Sequence, residues 1–468
     1  MTFRRAWRAF KWSLLARHDR YPDFEIDRRL QRQERGTGVE LAALRRDKTR
    51  ALVRACLENV PYYGDLMRDA RLDPDAIDGP EDLKVLPILT KEIVRREKGR
   101  MLNRAARPDE YHPHSTAGST GLPLDFFRGY DYERIAVAGA NLRAWRRMGW
   151  RPGDALARFW GAHGDILPVV SGTDRLRRRI RRWLEPPEAV FDPSDNSPAV
   201  LEQWAARLRA RGPDFWYGYG SVLALLAFHL RHRGQTLERV RGISTTAEAL
   251  LPQARAALRQ VFPNATLIDI YGSREVPGVS AECRLGAMHI HSDLVHVEFL
   301  PDPQAQGGAR LVLTSLDNRI FPFIRYDIGD EGGPPDRPCP CGLPFPIMRF
   351  GFGRIVDSFV MPDGRILYAG PLEDILYEIP GIHRYQFLQE TPGEIVLSVV
   401  PDATFGTEAR AALERGRLKA LEVFGAGVNL DVRLVESIPL SRSGKHLYML
   451  SRVRNPLLPH GNDTAPLV

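Results

Sequence analysis

The sequence predicts an α/β protein with a large N-terminal domain of several sheets and flanking helices, followed by a small, mobile α+β C-terminal domain. In the first 330 residues, segments predicted as strands over 240–244 and 265–270 alternate with segments predicted as helices over 198–212, 222–230 and 252–261. Alternation of this kind is typical of α/β proteins with partly parallel sheets.

Local signals mark the ends of some of these elements. An early helix is predicted to end before Pro61, because proline inside a helix removes a backbone hydrogen bond and clashes with the preceding turn. Ser197 followed by Pro198 is a cap residue with proline in the first helical turn, which predicts the start of the helix that runs to Gly212.

The pattern changes after Asp330, where glycines and prolines crowd one loop between Gly332 and Pro340. The segments that follow predict strands over 383–389, 394–400 and 429–435 and a helix over 406–424. We therefore divide the chain into an N-terminal domain, a C-terminal domain hinged near Gly353, and a loose tail, with bounds 1–353, 354–455 and 456–468.

Composition excludes several classes of protein. The chain has 66 Lys+Arg against 58 Asp+Glu, 43% hydrophobic residues and only four cysteines, which excludes a disordered or disulfide-scaffold protein. No apolar segment approaches the ~20 residues of a membrane helix, so we expect a soluble, cytoplasmic protein. A charge surplus of +8 is mild, and no recognition helix or zinc-finger spacing is present, so nucleic acid is not an expected partner.

Two basic segments leave questions of partnership open. Phe3, Trp7, Phe10 and Leu14 recur at helical spacing among basic residues, which fits either peripheral contact with an anionic membrane or docking on the protein's own body. The arginines between 175 and 182 form either a solvated helix face or a patch for an acidic partner. The oligomeric state cannot be derived from the sequence.

The first segment whose residues could bind a ligand is the run of small residues from Ser115 to Pro123. Its hydroxyls and glycines can wrap a polyphosphate, because glycine permits close backbone approach and the N–H and hydroxyl groups donate to oxyanions. No lysine follows Gly121, so it is not a Walker loop. A simple linker would have the same composition.

Four further segments bear groups that ligands use. Asp269–Glu275 runs from a predicted strand into a turn, where Glu275 could hold Mg²⁺, and Asp330 could accept from both hydroxyls of a ribose. Arg354 lies at the predicted hinge, and Lys445 follows a glycine in a Ser/Gly-rich turn. Each segment alone is also explained by turns, caps and surface pairs.

In this order, the segments resemble those of the adenylate-forming superfamily, specifically its phenylacetate–CoA ligase and CapK-like branch. The resemblance covers nearly the whole chain. The similar motifs are His114–Gly121 (phosphate loop), Thr245–Glu248 (substrate segment), Tyr271–Glu275 (adenine and Mg²⁺), Asp330 (ribose), Gly353-Arg354 (hinge) and Gly444-Lys445 (catalytic lysine).

The resemblance implies a reaction and the residues that perform it. ATP would convert a carboxylic acid, aryl or acyl, into an acyl-adenylate with release of pyrophosphate, and coenzyme A would then accept the acyl group. The catalytic residues implied are Lys445 and Glu275, the latter with Mg²⁺. The nucleotide-binding residues implied are Ser115, Thr116, Gly118, Ser119, Thr120, Gly121, Glu248, Tyr271, Gly272, Ser273, Arg274, Asp330 and Arg354.

Two departures from the family pattern keep alternatives open. Leu122 stands where the phosphate loop usually has lysine, and Val356 stands where the hinge usually has a polar residue. One alternative therefore transfers the acyl group to an amine, on a sugar or amino acid, or to a carrier protein. Another is a non-catalytic acyl or nucleotide binder.

The cysteines predict a structural Zn²⁺ site. Cys339 and Cys341 form a C-x-C-G turn, and Cys283 with His289 forms a C-x₅-H pair upstream. Three thiolates and one imidazole make a closed tetrahedral set of the structural type, and the arrangement is similar to a zinc site in some relatives of this branch. His291 is the alternative ligand if it shares a strand face with His289.

Overall fold

The computed structural model describes residues 24–115, 124–160, 188–193, 198–247, 250, 252–301, 309–335, 337–350, 358–368, 372, 375–376, 379, 381–401, 405–438 and 449–453. The N-terminal amphipathic segment, the basic stretch at 175–182, the proposed boundary at 353–354 and the tail lie outside these residues. In the described part of the chain, no helix is long and apolar enough to cross a membrane.

The larger, N-terminal part of the chain contains most of the helices among the described residues. They are α1 (Phe24–Arg35), α2 (Gly38–Asn59), α3 (Pro61–Asp69), α4 (Lys91–Met101), α5 (Tyr130–Glu133), α6 (Gly139–Arg147), α7 (Pro198–Arg211), α8 (Gly220–His232) and α9 (Pro252–Val261), and a π-helical turn at Arg134–Ala138 joins α5 to α6. Thr37 caps α2 in a reciprocal capping box with Glu40, which gives the N–H groups of both residues hydrogen-bond partners.

Strands β3 to β13 form one large sheet among the described residues. They are β3 (Leu156–Phe159), β4 (Glu188–Phe191), β5 (Phe215–Tyr219), β6 (Gly242–Thr246), β7 (Thr266–Tyr271), β8 (Ser280–Glu282), β9 (Met288–Ile290), β10 (Val295–Pro301), β11 (Ala309–Ser315), β12 (Tyr326–Gly333) and β13 (Ile347–Phe350). Their order is β10-β11-β12-β13-β9-β8-β7-β6-β5-β3-β4. A separate hairpin pairs β1 (Tyr111–Ser115) with β2 (Asp125–Gly129).

The predicted α/β fold is confirmed, and the sheet is partly parallel as predicted. Strands β4, β3, β5, β6 and β7 pair in parallel, whereas the remaining pairs from β7 to β10 are antiparallel. The strand predicted at 240–244 begins two residues later than predicted, because Val240 and Arg241 form the approach to it and Val240 N–H turns back to Leu237 O.

Apolar side chains cover both faces of the parallel strands. On one face Leu208, Leu226 and Leu258 of α7, α8 and α9 pack with Trp216 and Ile243. On the other face α6 packs against β5 and β7 through residues that include Leu142, Trp145, Phe215 and Ile270. Burial on both faces leaves the strand ends as the places where polar groups can meet a ligand.

The C-terminal part has its own sheet and core. Its elements are β14 (Ser358–Val360), β15 (Ile366–Tyr368), β16 (Ile382–Thr391), β17 (Glu394–Pro401), α10 (Thr407–Phe424), β18 (Asn429–Leu434) and β19 (Met449–Ser451), with the four-stranded sheet ordered β18-β17-β16-β19. Phe387, Leu397, Leu413 and Phe424 belong to one buried cluster in this part. The predicted strand–strand–helix–strand series is present within a few residues of its expected bounds.

Candidate active site at the curved part of the sheet

Strands β7 and β12 meet although three strands separate them in the order of the sheet. The phenol of Tyr271, the last residue of β7, donates a 2.9 Å hydrogen bond to Oδ2 of Asp330 on β12. Such a contact requires the intervening short strands β8, β9 and β13 to curl the sheet onto itself. Two sequence-predicted site residues are thereby brought together.

A second tyrosine makes the reciprocal contact. Tyr326 at the start of β12 is fully buried, and its phenol donates a 2.9 Å hydrogen bond to Oε1 of Glu275, which follows β7 and is 5% exposed. Glu275 therefore has a fixed orientation beside Asp330's strand. A single carboxylate combined with substrate phosphates is a common way to hold Mg²⁺, so this residue fits the role that the resemblance implied.

The turn after β7 is held by its own hydrogen bonds and by two glycines. Ser273 N–H donates to Val276 O and Val276 N–H donates to Ser273 Oγ, each at 3.0 Å. A Cβ on Gly272 would lie 2.7 Å from Gly278 N, and Gly278 itself has φ +65° and packs against Ala140 of α6. Backbone approaches this close exclude side chains at both positions.

The predicted phosphate segment connects the two strands of the β1–β2 hairpin. Ser115 pairs with Asp125 at the end of the ladder, so the described residues on the two sides of this segment lie beside one another. Nη1 of Arg274 donates to Ser115 O at 3.1 Å. This contact links the hairpin directly to the turn that carries Glu275.

Arg128 strengthens the same link and was missed by sequence reasoning. This nearly buried guanidinium donates to the carbonyl of Arg274 and, at 3.2 Å, to Oε1 of Glu133. Glu133 Oε2 lies 3.0 Å from His112 Nε2. Sequence reasoning missed Arg128 because its contact with Arg274 joins positions that lie 146 residues apart in the chain.

The preceding histidine, His114, stacks on Phe126 with ring planes 9° apart. Burial, reinforced by the charges of Arg128 and Arg274, lowers the pKa of His114 to about 3. Its neutral Nδ1 accepts a 2.9 Å hydrogen bond from Ser115 N–H. The imidazole thus fixes the backbone at the start of the phosphate segment.

Aromatic residues line the carboxyl ends of β3 and β5. Trp160 stacks on Tyr219 with centroids 4.4 Å apart, and Tyr217 lies parallel to the same indole at 5.7 Å. Phe215 and Trp216, in contrast, belong to the buried cores. Trp160 and Tyr219 are only partly buried, which leaves them as the aromatic surface at this edge.

An acidic group lies on strand β7 of the same sheet. Thr245 Oγ1 donates to Asp269 Oδ1 at 2.6 Å, and Glu282 accepts from Asp269 N–H and from Arg255. Burial raises the pKa of Asp269 to about 7, opposed by the Thr245 hydrogen bond and reinforced by the charge of Glu282. This carboxyl therefore titrates near neutral pH.

The four residues predicted to bind zinc are brought together. Sγ of Cys283, Cys339 and Cys341 and a ring nitrogen of His289 all lie within 4.8 Å of one another. Cys283 Sγ is 3.7 Å from Cys339 Sγ, and Cys341 Sγ is 3.2 Å from His289 Nε2. The donors come from the turn after β8, from β9 and from the connection between β12 and β13.

The chemistry of this cluster fits a metal. His289 Nδ1–H donates to Phe345 O at 2.8 Å, which leaves the Nε2 lone pair facing the thiols. Burial and the neighbouring Cys339 and Cys283 thiols raise the pKa of Cys341 to about 11. A bound cation would reverse that effect, because a coordinating thiol is deprotonated outright.

The alternative ligand His291 lies outside this cluster. Strand β9 ends at Ile290, and His291 Nδ1 is hydrogen-bonded at 2.9 Å to Gly278 O, in the loop between β7 and β8. The expectation that it shares the strand face of His289 is therefore not met. His289 is the histidine that the structure places beside the cysteines.

Several predicted site residues lie outside the described part of the chain. They are Thr116, Gly118, Ser119, Thr120, Gly121, Glu248, Arg354 and Lys445, together with Leu122 and Val356. Ser115, Tyr271, Gly272, Ser273, Arg274, Glu275 and Asp330 are described and lie on the hairpin, the turn after β7 and strand β12. The assignment of all these residues to a nucleotide stays a prediction.

Comparison with known proteins supports the predicted resemblance to the adenylate-forming superfamily. A family model described as the CapK C-terminal domain matches residues 359–452. The chain is 27% identical over 450 residues to a phenylacetate–coenzyme A ligase of Thermus thermophilus, covering 87% of this chain and 95% of that protein. A phenylacetate–coenzyme A ligase of Escherichia coli K12 is 24% identical over 318 residues, or 62% of this chain and 66% of that protein.

Solved structures show the same fold. The structure of a 2-hydroxyisobutyryl-CoA ligase in complex with 2-HIB-AMP and CoA matches with a TM-score of 0.58 at 20% identity, covering 90% of this chain and 91% of that one. The predicted resemblance is confirmed: the chain is a relative of the phenylacetate–CoA ligases with a CapK-like C-terminal domain. The expectation of an enzyme of the ligase class is confirmed with it.

Proposed function

We propose that this protein activates a carboxylic acid with ATP, forming an acyl-adenylate and pyrophosphate, and then transfers the acyl group to coenzyme A. The observation that carries the proposal is the meeting of Asp330 and Glu275 through Tyr271 and Tyr326. A hydroxyl-accepting aspartate and a second carboxylate are thereby held at one edge of an α/β sheet, where nucleotides bind. The similarity to phenylacetate–CoA ligases over most of the chain supports the same reaction.

The residues divide the work between binding and charge neutralisation. Asp330 would accept from the ribose hydroxyls, and Glu275 would hold the Mg²⁺ that neutralises the phosphates. The small residues after Ser115 would donate to phosphate oxygens. Negative charge accumulates where the acid attacks the α-phosphorus, so the ammonium of Lys445 would stabilise the transition state.

The acid is proposed to be an aryl or acyl acid. Trp160 and Tyr219 present partly buried aromatic surface at the carboxyl ends of β3 and β5, which supports an aryl acid. For the second step, an amine or a carrier protein is the alternative acceptor to coenzyme A, since nothing in the described residues selects among them. Use of ATP and CoA fits the cytoplasmic location expected from the sequence.

The Cys/His cluster is proposed as a structural Zn²⁺ site. Three thiols and a histidine of fixed tautomer form a complete tetrahedral donor set, which leaves no position for a reacting water. The metal therefore takes no part in the proposed chemistry. Magnesium at Glu275 and zinc at the cysteines would be two separate ions.

Pyrophosphate release from ATP and Mg²⁺, across a panel of aryl, acyl and hydroxy acids with hydroxylamine as trap, tests the proposal. Acid-dependent release is expected, with Lys445→Ala slower by about 10²–10³-fold because one preorganised charge is lost. Lys419→Ala, which removes an exposed lysine of α10, is the matched control and should leave the rate unchanged. Silence of the wild-type protein across the panel would favour the non-catalytic binder instead.

A further inference from the structure

The curved part of the sheet is held by very short strand pairings. Between β9 and β13 the register contains Ile347↔His289 and Met348↔Met288, and between β12 and β13 it contains Gly332↔Phe350 and Gly333↔Arg349. Few backbone hydrogen bonds therefore join β12 to β9 and, through β8, to β7. With so few backbone pairs, the position of β12 relative to β7 depends mainly on contacts between side chains.

The Cys/His cluster connects the two sides of this short β9–β13–β12 pairing. Cys283 and His289 come from β8–β9, where Cys283 N–H donates to Ala287 O, whereas Cys339 and Cys341 come from the connection between β12 and β13. A metal bound by all four would cross-link the two sides covalently.

The nucleotide site proposed above takes its residues from both sides of the same β9–β13–β12 pairing. Tyr271 and Glu275 belong to the β7 side, Asp330 and Tyr326 belong to β12, and two phenol–carboxylate hydrogen bonds connect them. The relative position of the two sides decides whether one nucleotide can contact both. Any group that fixes this position raises nucleotide affinity by removing an ordering cost.

We propose that metal binding at Cys283, His289, Cys339 and Cys341 sets the distance between β7 and β12 and thereby controls the affinity of the nucleotide site. The inference rests on the proposed function, because it requires ATP to bind between Glu275 and Asp330. It assigns the metal a positioning role outside the reaction. The coupling is reciprocal, so bound nucleotide also strengthens metal binding by the same factor.

A set of variants tests the coupling in the full-length protein. Cys341→Ser removes one ligand, Cys341→His keeps a metal-binding side chain, and Cys56→Ala removes the buried cysteine that lies outside the cluster. We expect Cys341→Ser to lose zinc, measured by mass spectrometry of the metal, and to raise the Kd for ATP by about 10-fold or more, measured calorimetrically. Cys341→His and Cys56→Ala should keep both the metal and the affinity.

Hydrogen exchange separates a local effect from general instability. In Cys341→Ser, amides of β9 and β13 should exchange faster, whereas those of β17 in the C-terminal sheet should be unchanged. A folded, metal-free protein that binds ATP as tightly as the wild type would overturn the inference while leaving the proposed function intact. A wild-type protein that binds zinc but no ATP would refute both.

If Cys341→Ser fails to fold, extraction of zinc from the wild type by a chelator provides the second measurement. ATP should lower the extracted fraction at equilibrium, and Tyr271→Phe should reduce this protection because the phenol–Asp330 link is absent. Equal extraction with and without ATP, or equal protection in Tyr271→Phe, would contradict the coupling.

Discussion

The phenol of Tyr326 donates to Oε1 of Glu275 at 2.9 Å, and both side chains are buried. A carboxylate that is oriented before it meets a cation loses less freedom on binding it. Groups that orient a metal ligand in this way typically contribute 10–100-fold to metal affinity or activity.

Tyr326→Phe should therefore raise the Mg²⁺ concentration needed for half-maximal ATP binding by about 10-fold or more. The readout is a Mg²⁺ titration of ATP affinity, supplemented by adenylation kinetics. Tyr63→Phe is the control, because Tyr63 is also buried and its phenol bonds only backbone groups, at Pro322 and Ile324, among the partners described. Similar Mg²⁺ curves for the two variants would argue against an orienting role for Tyr326.

Arg274→Gln should weaken ATP binding more than AMP binding. Its guanidinium lies 3.1 Å from Ser115 O, at the start of a segment that carries no Lys or Arg from residue 115 to residue 127. We expect the guanidinium to contact the β- and γ-phosphates, because it lies at the start of the predicted phosphate segment, and loss of that charge-assisted contact would cost about 10-fold or more in ATP affinity. Calorimetric Kd values for both nucleotides measure the difference.

Arg274→Lys and Arg107→Gln complete that comparison. The first keeps the charge and should recover part of the ATP affinity, and the second removes an exposed arginine paired with Asp109 and should change neither Kd. A parallel loss of ATP and AMP affinity in Arg274→Gln would indicate a purely structural link between the hairpin and the turn after β7.

Asp269 should make stability depend on pH near neutrality. Burial raises its pKa to about 7 in the folded protein, whereas the ordinary value is 3.8. Between these values the folded protein retains a proton that the unfolded chain releases. The free energy of unfolding should therefore decrease as pH rises through this interval, by at most about 1.4 kcal/mol per pH unit for this group.

Urea denaturation of the wild type and of Asp269→Asn at several pH values between about 5 and 8 measures this dependence. The variant cannot ionise, so its stability should decline less steeply, whereas exposed Asp109→Asn should follow the wild type. Glu282, whose pKa burial also raises, and Arg255 face the same carboxyl and remain in both variants. Identical slopes would place the titration of Asp269 outside this range.

Sequence patterns identified the candidate metal-binding and carboxylate residues, but they did not identify the hydrogen bonds that orient those residues. The C-x-C-G turn and the C-x₅-H pair identified all four members of the Cys/His cluster, because metal ligands have restricted residue types and spacing. Asp330 and Glu275 were likewise found from motifs. Tyr271 was part of the Tyr271–Glu275 motif, but the phenol–carboxylate contacts of Tyr271 and Tyr326 were not predicted, because they depend on how far the sheet curls.

The features that could not be predicted from the sequence depend on contacts between residues that are far apart in the chain. Arg128 reaches Arg274 across 146 positions, and Arg274 reaches Ser115 across 159. His291 was a reasonable second histidine by strand periodicity, yet the strand ends one residue too early for that argument to apply. Strand ends and sheet curvature are set by tertiary packing, which local patterns do not encode.

The two glycines of the turn after β7 also constrain protein engineering. Gly272 faces the backbone of Gly278, and Gly278 faces the π-helical turn before α6, so neither site admits even a methyl group. Mutant libraries that seek a different carboxylic acid substrate should keep both glycines and vary Trp160 and Tyr219. Those two aromatic rings stack on each other at the carboxyl ends of β3 and β5, away from the turn after β7.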